Sequence, residues 1–146
     1  MADSLAFRAP RPDERAWFFA TRREAFRTYA EQAFGPWDDD RQRASASKDF
    51  DEQPIKIVER DGEPIGYQII LEHADHWFLD EIVVVAVARN RGLGTRLVSE
   101  VMESARSAGL PVRLSCLDVN PALRLYGRLG FRITRREPPR TKMEWP

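Results

Sequence analysis

Apolar residues recur along this chain with two different periods, and the places where the period changes outline its elements. After the Pro12-Asp13-Glu14 opening, Trp17, Phe18, Thr21, Ala25, Phe26, Tyr29 and Ala33 fall at helical spacing until Pro36 ends the run. A second helix is predicted from Asp39 to about Phe50. Leu5–Ala9 reads as a first strand. Ile55–Glu59 and Ile65–Leu71 flank Asp61-Gly62, a strong hairpin signal. Trp77 or Phe78 to Val85 is a central strand, ending in the continuous apolar run Ile82 to Val87. Thr95–Ala108 returns to helical spacing, with Leu97, Val98, Val101, Met102 and Ala105 inward and Gly109 and Pro111 as stops. Val112–Leu117 is a buried strand, and Phe131–Arg136 with Thr141–Trp145 forms a closing hairpin. No repeat or low-complexity segment interrupts this order. Periodicity alone reads the chain as α+β or α/β.

The junction after the central strand carries the first chemistry. Arg89-Asn90-Arg91-Gly92-Leu93-Gly94 joins a strand to a helix N-terminus, where unpaired N–H groups and the positive end of the helix dipole suit a phosphate. The glycines allow a close approach of the backbone to a ligand, and the arginines can add charge-assisted hydrogen bonds. A Walker loop needs Gly-Lys-Ser/Thr, whereas this turn runs Gly94-Thr95-Arg96. A dinucleotide fingerprint needs a third small residue where Leu97 stands. What remains is Arg-x-x-Gly-x-Gly, from Arg89, Gly92 and Gly94.

About thirty residues later, the segment from Asn120 to Phe131 reads as a short capped helix. Asn120 suits the N-cap, Pro121 the first helical position and Gly130 the left-handed position after the last turn. Its pattern is Asn-x-x-Leu-x-x-Tyr with Gly130-Phe131 following. Both motifs, in this order, resemble the signatures of the GNAT superfamily of N-acetyltransferases, and the resemblance extends over nearly the whole chain as one domain, residues 1–146. The stretch Phe34-Gly35-Pro36-Trp37-Asp38 and the ending Met143-Glu144-Trp145 resemble small bacterial members. Two departures are visible: the family often has proline where Ala86 stands and glycine where Asn90 stands. Asparagine tolerates positive φ better than most residues, so the second change is mild.

The resemblance implies a mixed α/β (α+β) fold, with a mostly antiparallel sheet, helices on both faces and a splay between strands 4 and 5. It implies acetyl-CoA as co-substrate and no metal. Arg89, Arg91, Gly92, Leu93, Gly94 and Thr95 would take the pyrophosphate. The backbone of Ile82, Val83, Val84 and Val85 would pair with the pantetheine arm, and Asn120 and Tyr126 would contact the cofactor. Tyr126 would protonate the departing thiolate, a phenol with an ordinary pKa of about 10 being able to do so. Glu81 would deprotonate the amine, directly or through water, with Glu72, Glu31 and Glu144 as competing carboxylates. The acceptor would be a small-molecule or peptide amine, and the family pattern allows a homodimer. Trp37, Tyr29 and Trp145 are candidates for the acceptor pocket.

Composition narrows the classes further. Lys+Arg and Asp+Glu both number 23, so no net field favours nucleic acid or a membrane surface. Charge is uneven: Pro121 to the end holds seven basic and two acidic residues, and Glu31 to Gln53 seven acidic and three basic. A basic side suits a CoA phosphate and an acidic side a cationic amine; solvated surface accounts for either equally well. One cysteine excludes an internal disulfide and, without a signal-like N-terminal segment, points to the cytoplasm. Glu72-His73-Ala74-Asp75-His76 contains metal-ligand types but sits in a turn without a partner cluster. Cys116 in its strand reads as a small buried hydrophobe. The rival reading at this stage is a non-catalytic acyl-CoA-binding sensor of the same fold, against which the presence of both Glu81 and Tyr126 speaks. A nucleic-acid binder would need a continuous basic face.

Overall fold

A computed structural model describes residues 4–146. After β1 (Leu5–Arg8) and a 3-10 turn come α1 (Arg15–Phe34), α2 (Asp39–Glu52), β2 (Ile55–Arg60), β3 (Glu63–Glu72) and β4 (Trp77–Val84). Then follow α3 (Leu93–Ser107), β5 (Val112–Leu117), α4 (Ala122–Arg128), β6 (Arg132–Glu137) and β7 (Arg140–Trp145). The strands form one seven-stranded sheet in the order β1-β2-β3-β4-β5-β7-β6. Every pairing is antiparallel except β4 with β5, whose connection runs through α3. This is the expected mixed, mostly antiparallel sheet.

Strand alternation sends Ile57, Tyr67, Ile69 and Val83 to one face, where Phe18 and Phe19 of α1 and Ala46 of α2 cover them. Val58 and Ile65 pack with Leu93 and Leu97 of α3 instead. Val98, Val101, Met102 and Ala105, the inward stripe of α3, meet Leu114, Cys116 and Met143 together with Tyr126 of α4. Phe19 lies outside the expected apolar stripe yet is buried, because the guanidinium groups of Arg23 and Arg43 lie over its ring at 5.0 and 4.5 Å.

Two features of β4 create the site. Its register with β5 holds only at Trp77↔Val112 and Phe78↔Arg113, so from Leu79 onward the strands part and one edge of β4 is left unpaired. Opposite β3, Ile69 faces Glu81 while Ile70 faces Leu79, which makes Asp80 the extra residue of a β-bulge. Strict alternation would place Asp80 and Glu81 on opposite faces. The bulge brings both to one cavity.

Gly66 of β3 fixes β4 from the other side. A Cβ built there would lie 2.2 Å from the Val83 carbonyl oxygen, so only glycine allows this approach. Gly66→Ala should therefore lower stability by about 1–3 kcal/mol, the usual cost of overpacking. Thermal denaturation checks this; an unchanged melting temperature would show that β4 can yield there.

Helix starts differ slightly from the sequence expectation. α3 begins at Leu93, two residues early, because Gly92 at φ 78° already turns the chain. α4 begins at Ala122, with Pro121 in the cap position. Asn120 still does the capping chemistry: its Oδ1 accepts from the Ala122 N–H at 2.9 Å.

Candidate active site

The parting of β4 and β5 opens a cavity of about 560 Å³. Phe26, Ala30 and Phe34 of α1 and Trp37 of the α1–α2 connection form an apolar wall. Asp80, Glu81 and Ile82 supply the β4 side, Cys116 the β5 side and Tyr126 the α4 side, while Arg140 enters from β7. The two titratable groups singled out in the sequence thus share one space, though 45 positions separate them along the chain (126 − 81).

Glu81 is held by three donors. Arg22 donates from Nε to Oε1 at 3.1 Å and from Nη2 to Oε2 at 2.5 Å, and the Tyr67 hydroxyl donates to Oε1 at 2.6 Å. Arg22 is itself paired with Asp49 at 2.9 Å and lies over the Phe18 ring. Burial raises the Glu81 carboxyl above the ordinary carboxylate range, with Arg22 and Tyr67 opposing the shift. Both lone pairs of Oε1 are engaged, and Oε2 keeps one. Asp80 accepts no hydrogen bond from the described residues. It stays open to solvent at the cavity mouth, and partial loss of hydration still raises its carboxyl.

Tyr126 is 9% exposed and packs edge-on against Phe131 at 5.7 Å. No described residue hydrogen-bonds its hydroxyl. Burial pushes its phenol well above the ordinary value, and the same cause pushes the neighbouring Cys116 thiol up to about 11. A thiolate is disfavoured in this part of the cavity just as a phenolate is, so a thiolate leaving here favours taking up a proton where it forms.

The glycine turn stands at the open end of the splay. Asn90 takes φ 63° and Gly92 φ 78°, and α3 starts at once after them. The first intrahelical bond runs from the Arg96 N–H to the Gly92 carbonyl at 3.0 Å, leaving the N–H groups of Leu93, Gly94 and Thr95 without helical partners. Beyond its chain neighbours and the backbone of its own helix, a Cβ at Gly94 would meet nothing closer than Leu125 Cδ2 at 4.0 Å. Space for a ligand is therefore present where the anion would sit. Arg91 is exposed and makes no ion pair with the described residues. Arg89 is placed differently: its Nε donates to the Val84 carbonyl at 2.9 Å, and its guanidinium pairs with Glu24 of α1. It ties the turn to β4 and α1.

The backbone of β4 is ready for a partner on its free edge. The Val85 N–H donates to Ile65 at 2.9 Å and the Val83 carbonyl lies against Gly66, so both point toward β3. Alternation then directs the N–H groups of Ile82 and Val84 into the splay. A peptide-like chain could pair there, between the phosphate-ready turn and the Glu81–Tyr126 cavity.

Several sequence candidates lie elsewhere. Glu31 pairs with Arg27, Glu144 with Arg113, and Glu72 ends β3. None of these three lines the cavity. Of the aromatic candidates, Trp37 lines it, whereas Trp145 borders a separate depression beside Arg106 and Leu110. Tyr29 lines neither. His73 and His76 stack at 4.7 Å, and among the described residues no group of three or more His, Cys, Asp or Glu side chains converges. Sequence reasoning missed Arg22, Tyr67 and Arg140 and read Asp80 only as a neighbour. A charged residue at position 22, amid the apolar stripe of α1, was the one available signal for Arg22.

A sheet parted between its fourth and fifth strands, with an anion-ready helix terminus at the splay, is the architecture of acyl-CoA-dependent acyltransferases. A sequence model described as the acetyltransferase (GNAT) family matches residues 15–131, and the chain belongs to that family. Its fold and family are those of acetyl-CoA-dependent N-acetyltransferases. It is 37% identical over 128 residues to a mycothiol acetyltransferase of Thermomonospora curvata, covering 84% of this chain and 41% of that protein. It is 31% identical over 153 residues to the mycothiol acetyltransferase of Acidothermus cellulolyticus, covering 90% and 46%. The chain thus spans less than half the length of these curated relatives. Among solved structures, the PaiA N-acetyltransferase of Thermoplasma acidophilum in complex with coenzyme A superposes with a TM-score of 0.74 at 14% identity, over 97% of this chain and 98% of that one. An acetyltransferase of Thermus thermophilus gives 0.73 at 16%, over 98% and 97%. Both likenesses concern the fold.

Proposed function

We propose that this chain transfers an acetyl group from acetyl-CoA directly to a primary amine of a small-molecule acceptor, both being held together in the splay. The observation that carries this reading is the convergence of a free β4 edge, Glu81 and Tyr126 on one cavity. The curated relatives, named for the acetylation of a small molecule, support the acceptor class. We assign the reaction to the cytoplasm, a reading supported by the single cysteine of the chain. No helix among the described residues is long and apolar enough to cross a membrane.

Acetyl-CoA supplies an activated thioester. The N–H groups of Leu93, Gly94 and Thr95, with Arg91, hold its pyrophosphate, and Ile82 and Val84 pair with the pantetheine amides. Arg89 positions the turn. The Val84 N–H is also placed to polarise the thioester carbonyl. Glu81 takes the proton of the acceptor ammonium through the lone pair left on Oε2, directly or by one water. As the new N–C bond forms and the C–S bond breaks, Tyr126 gives its proton to the thiolate and the nitrogen gives up its second proton to water, so each ammonium acetylated releases one proton overall. Bulk water then restores both groups.

Release of CoA thiol across a panel of amines tests the activity. kcat/KM should rise with pH as Glu81 ionises, with a midpoint above the usual carboxylate range, since burial raises that group. Glu81→Gln should lower kcat by about 10²–10⁴-fold and abolish that acid limb. A variant that keeps both the rate and the limb would remove Glu81 as base.

A further inference from the structure

The acceptor end of the cavity contains two charges with no partner. Glu81 and Asp49 share Arg22, so each of these two carboxylates has an ion-pair partner. Asp80 and Arg140 are different. Each lines the cavity, neither makes an ion pair with any described residue, and they enter from opposite sides of the splay, on β4 and on the first residue of β7. Arg22 and, less strongly, Arg140 are near enough to act on the Asp80 carboxyl, yet neither bonds to it. Asp80 and Arg140 are both exposed, so water solvates them in the free protein and each remains available to an opposite charge on a ligand. Beside them stands the apolar wall of Phe26, Phe34 and Trp37, with Phe34 64% exposed at the rim although it is a large hydrophobic side chain.

We infer that the acceptor is an amino acid with an apolar or aromatic side chain, its ammonium held by Asp80, its carboxylate by Arg140 and its side chain against the aromatic wall. The inference rests on the acetyltransferase reading and adds its acceptor class. Asp80 binds the charged amine next to Glu81, which removes the proton. Arg140 can engage both carboxylate oxygens through parallel N–H groups, a geometry that an amide or a bare amine cannot satisfy. A simple amine would leave Arg140 without a carboxylate to pair with, and a polyamine would set a second positive charge against it. The cavity thus favours a zwitterion by attraction and disfavours a dication by repulsion.

The test compares L-phenylalanine, L-phenylalanine amide and phenethylamine as acceptors with saturating acetyl-CoA. For the unaltered protein kcat/KM should be at least about tenfold higher for L-phenylalanine than for either carboxylate-free compound, since one charge-assisted pair at a binding site accounts for about that factor or more. In Arg140→Gln that ratio should fall toward one, chiefly through KM for L-phenylalanine. Asp80→Asn should raise KM for all three. Equal use of the three compounds by the unaltered protein, or a preference that survives Arg140→Gln, overturns the inference. So does the absence of thiol release with any of them while acetyl-CoA still binds in calorimetry, a result that leaves the acetyltransferase reading standing. Loss of acetyl-CoA binding itself would instead sink that broader reading.

Discussion

Tyr126→Phe is expected to lower kcat for amine acetylation by about 10²–10⁴-fold, the usual range for a positioned proton donor, with acetyl-CoA affinity little changed. The variant removes one oxygen and keeps the ring that packs on Phe131 at 5.7 Å. Because no described residue hydrogen-bonds that hydroxyl, its loss leaves no protein group unsatisfied, and stability should hold within about 0.5 kcal/mol. A drop in rate therefore reports chemistry. Burial keeps the phenol protonated far above neutral pH, so Tyr126 should contribute no alkaline limb to the pH profile of the unaltered protein. Single-turnover thiol release checks both points. Full turnover in the variant would remove the acid assignment.

Gly94→Val should cost at least about 10²-fold in acetyl-CoA affinity without loss of stability. The reasoning is steric. A Cβ at this position meets no atom outside its own helix and chain neighbours nearer than 4.0 Å, so there is room for a larger side chain at the first turn of α3, where a pyrophosphate would approach. Glycine in a helix is also the least favourable ordinary residue, by up to about 1 kcal/mol against alanine, so its replacement does not weaken α3. Gly92 offers no such clean test. At φ 78° it carries a conformation that other residues resist, and a substitution there would confound binding with folding. Unaltered affinity in Gly94→Val would show that the turn is structural.

The sequence was most informative where a local rule was sufficient. The Asp61-Gly62 hairpin and the inward stripe Leu97, Val98, Val101, Met102, Ala105 follow from turn chemistry and period, and the structure has them. Val112–Leu117 has the expected bounds because its ends are set by Pro111 and the turn after Leu117. The splay was legible only through resemblance, since it depends on β5 pairing with β7 along its length while touching β4 at two positions. The bulge at Asp80 had no sequence signal at all. It arises from how β3 and β4 pair, and it turns an ordinary Asp-Glu dipeptide into two carboxylates facing one cavity. Arg140 likewise becomes a candidate only when β7 is seated beside β5. Pairings between distant segments decide these positions, and a linear pattern does not encode them.

Calorimetric titration of the purified protein with acetyl-CoA, with ATP as a control anion and Gly94→Val as a control protein, tests the central claim most directly. The account predicts micromolar binding of acetyl-CoA, much weaker binding of ATP, and loss of the acetyl-CoA signal in a Gly94→Val sample of unchanged melting temperature. Absence of acetyl-CoA binding by the folded, unaltered protein would contradict it.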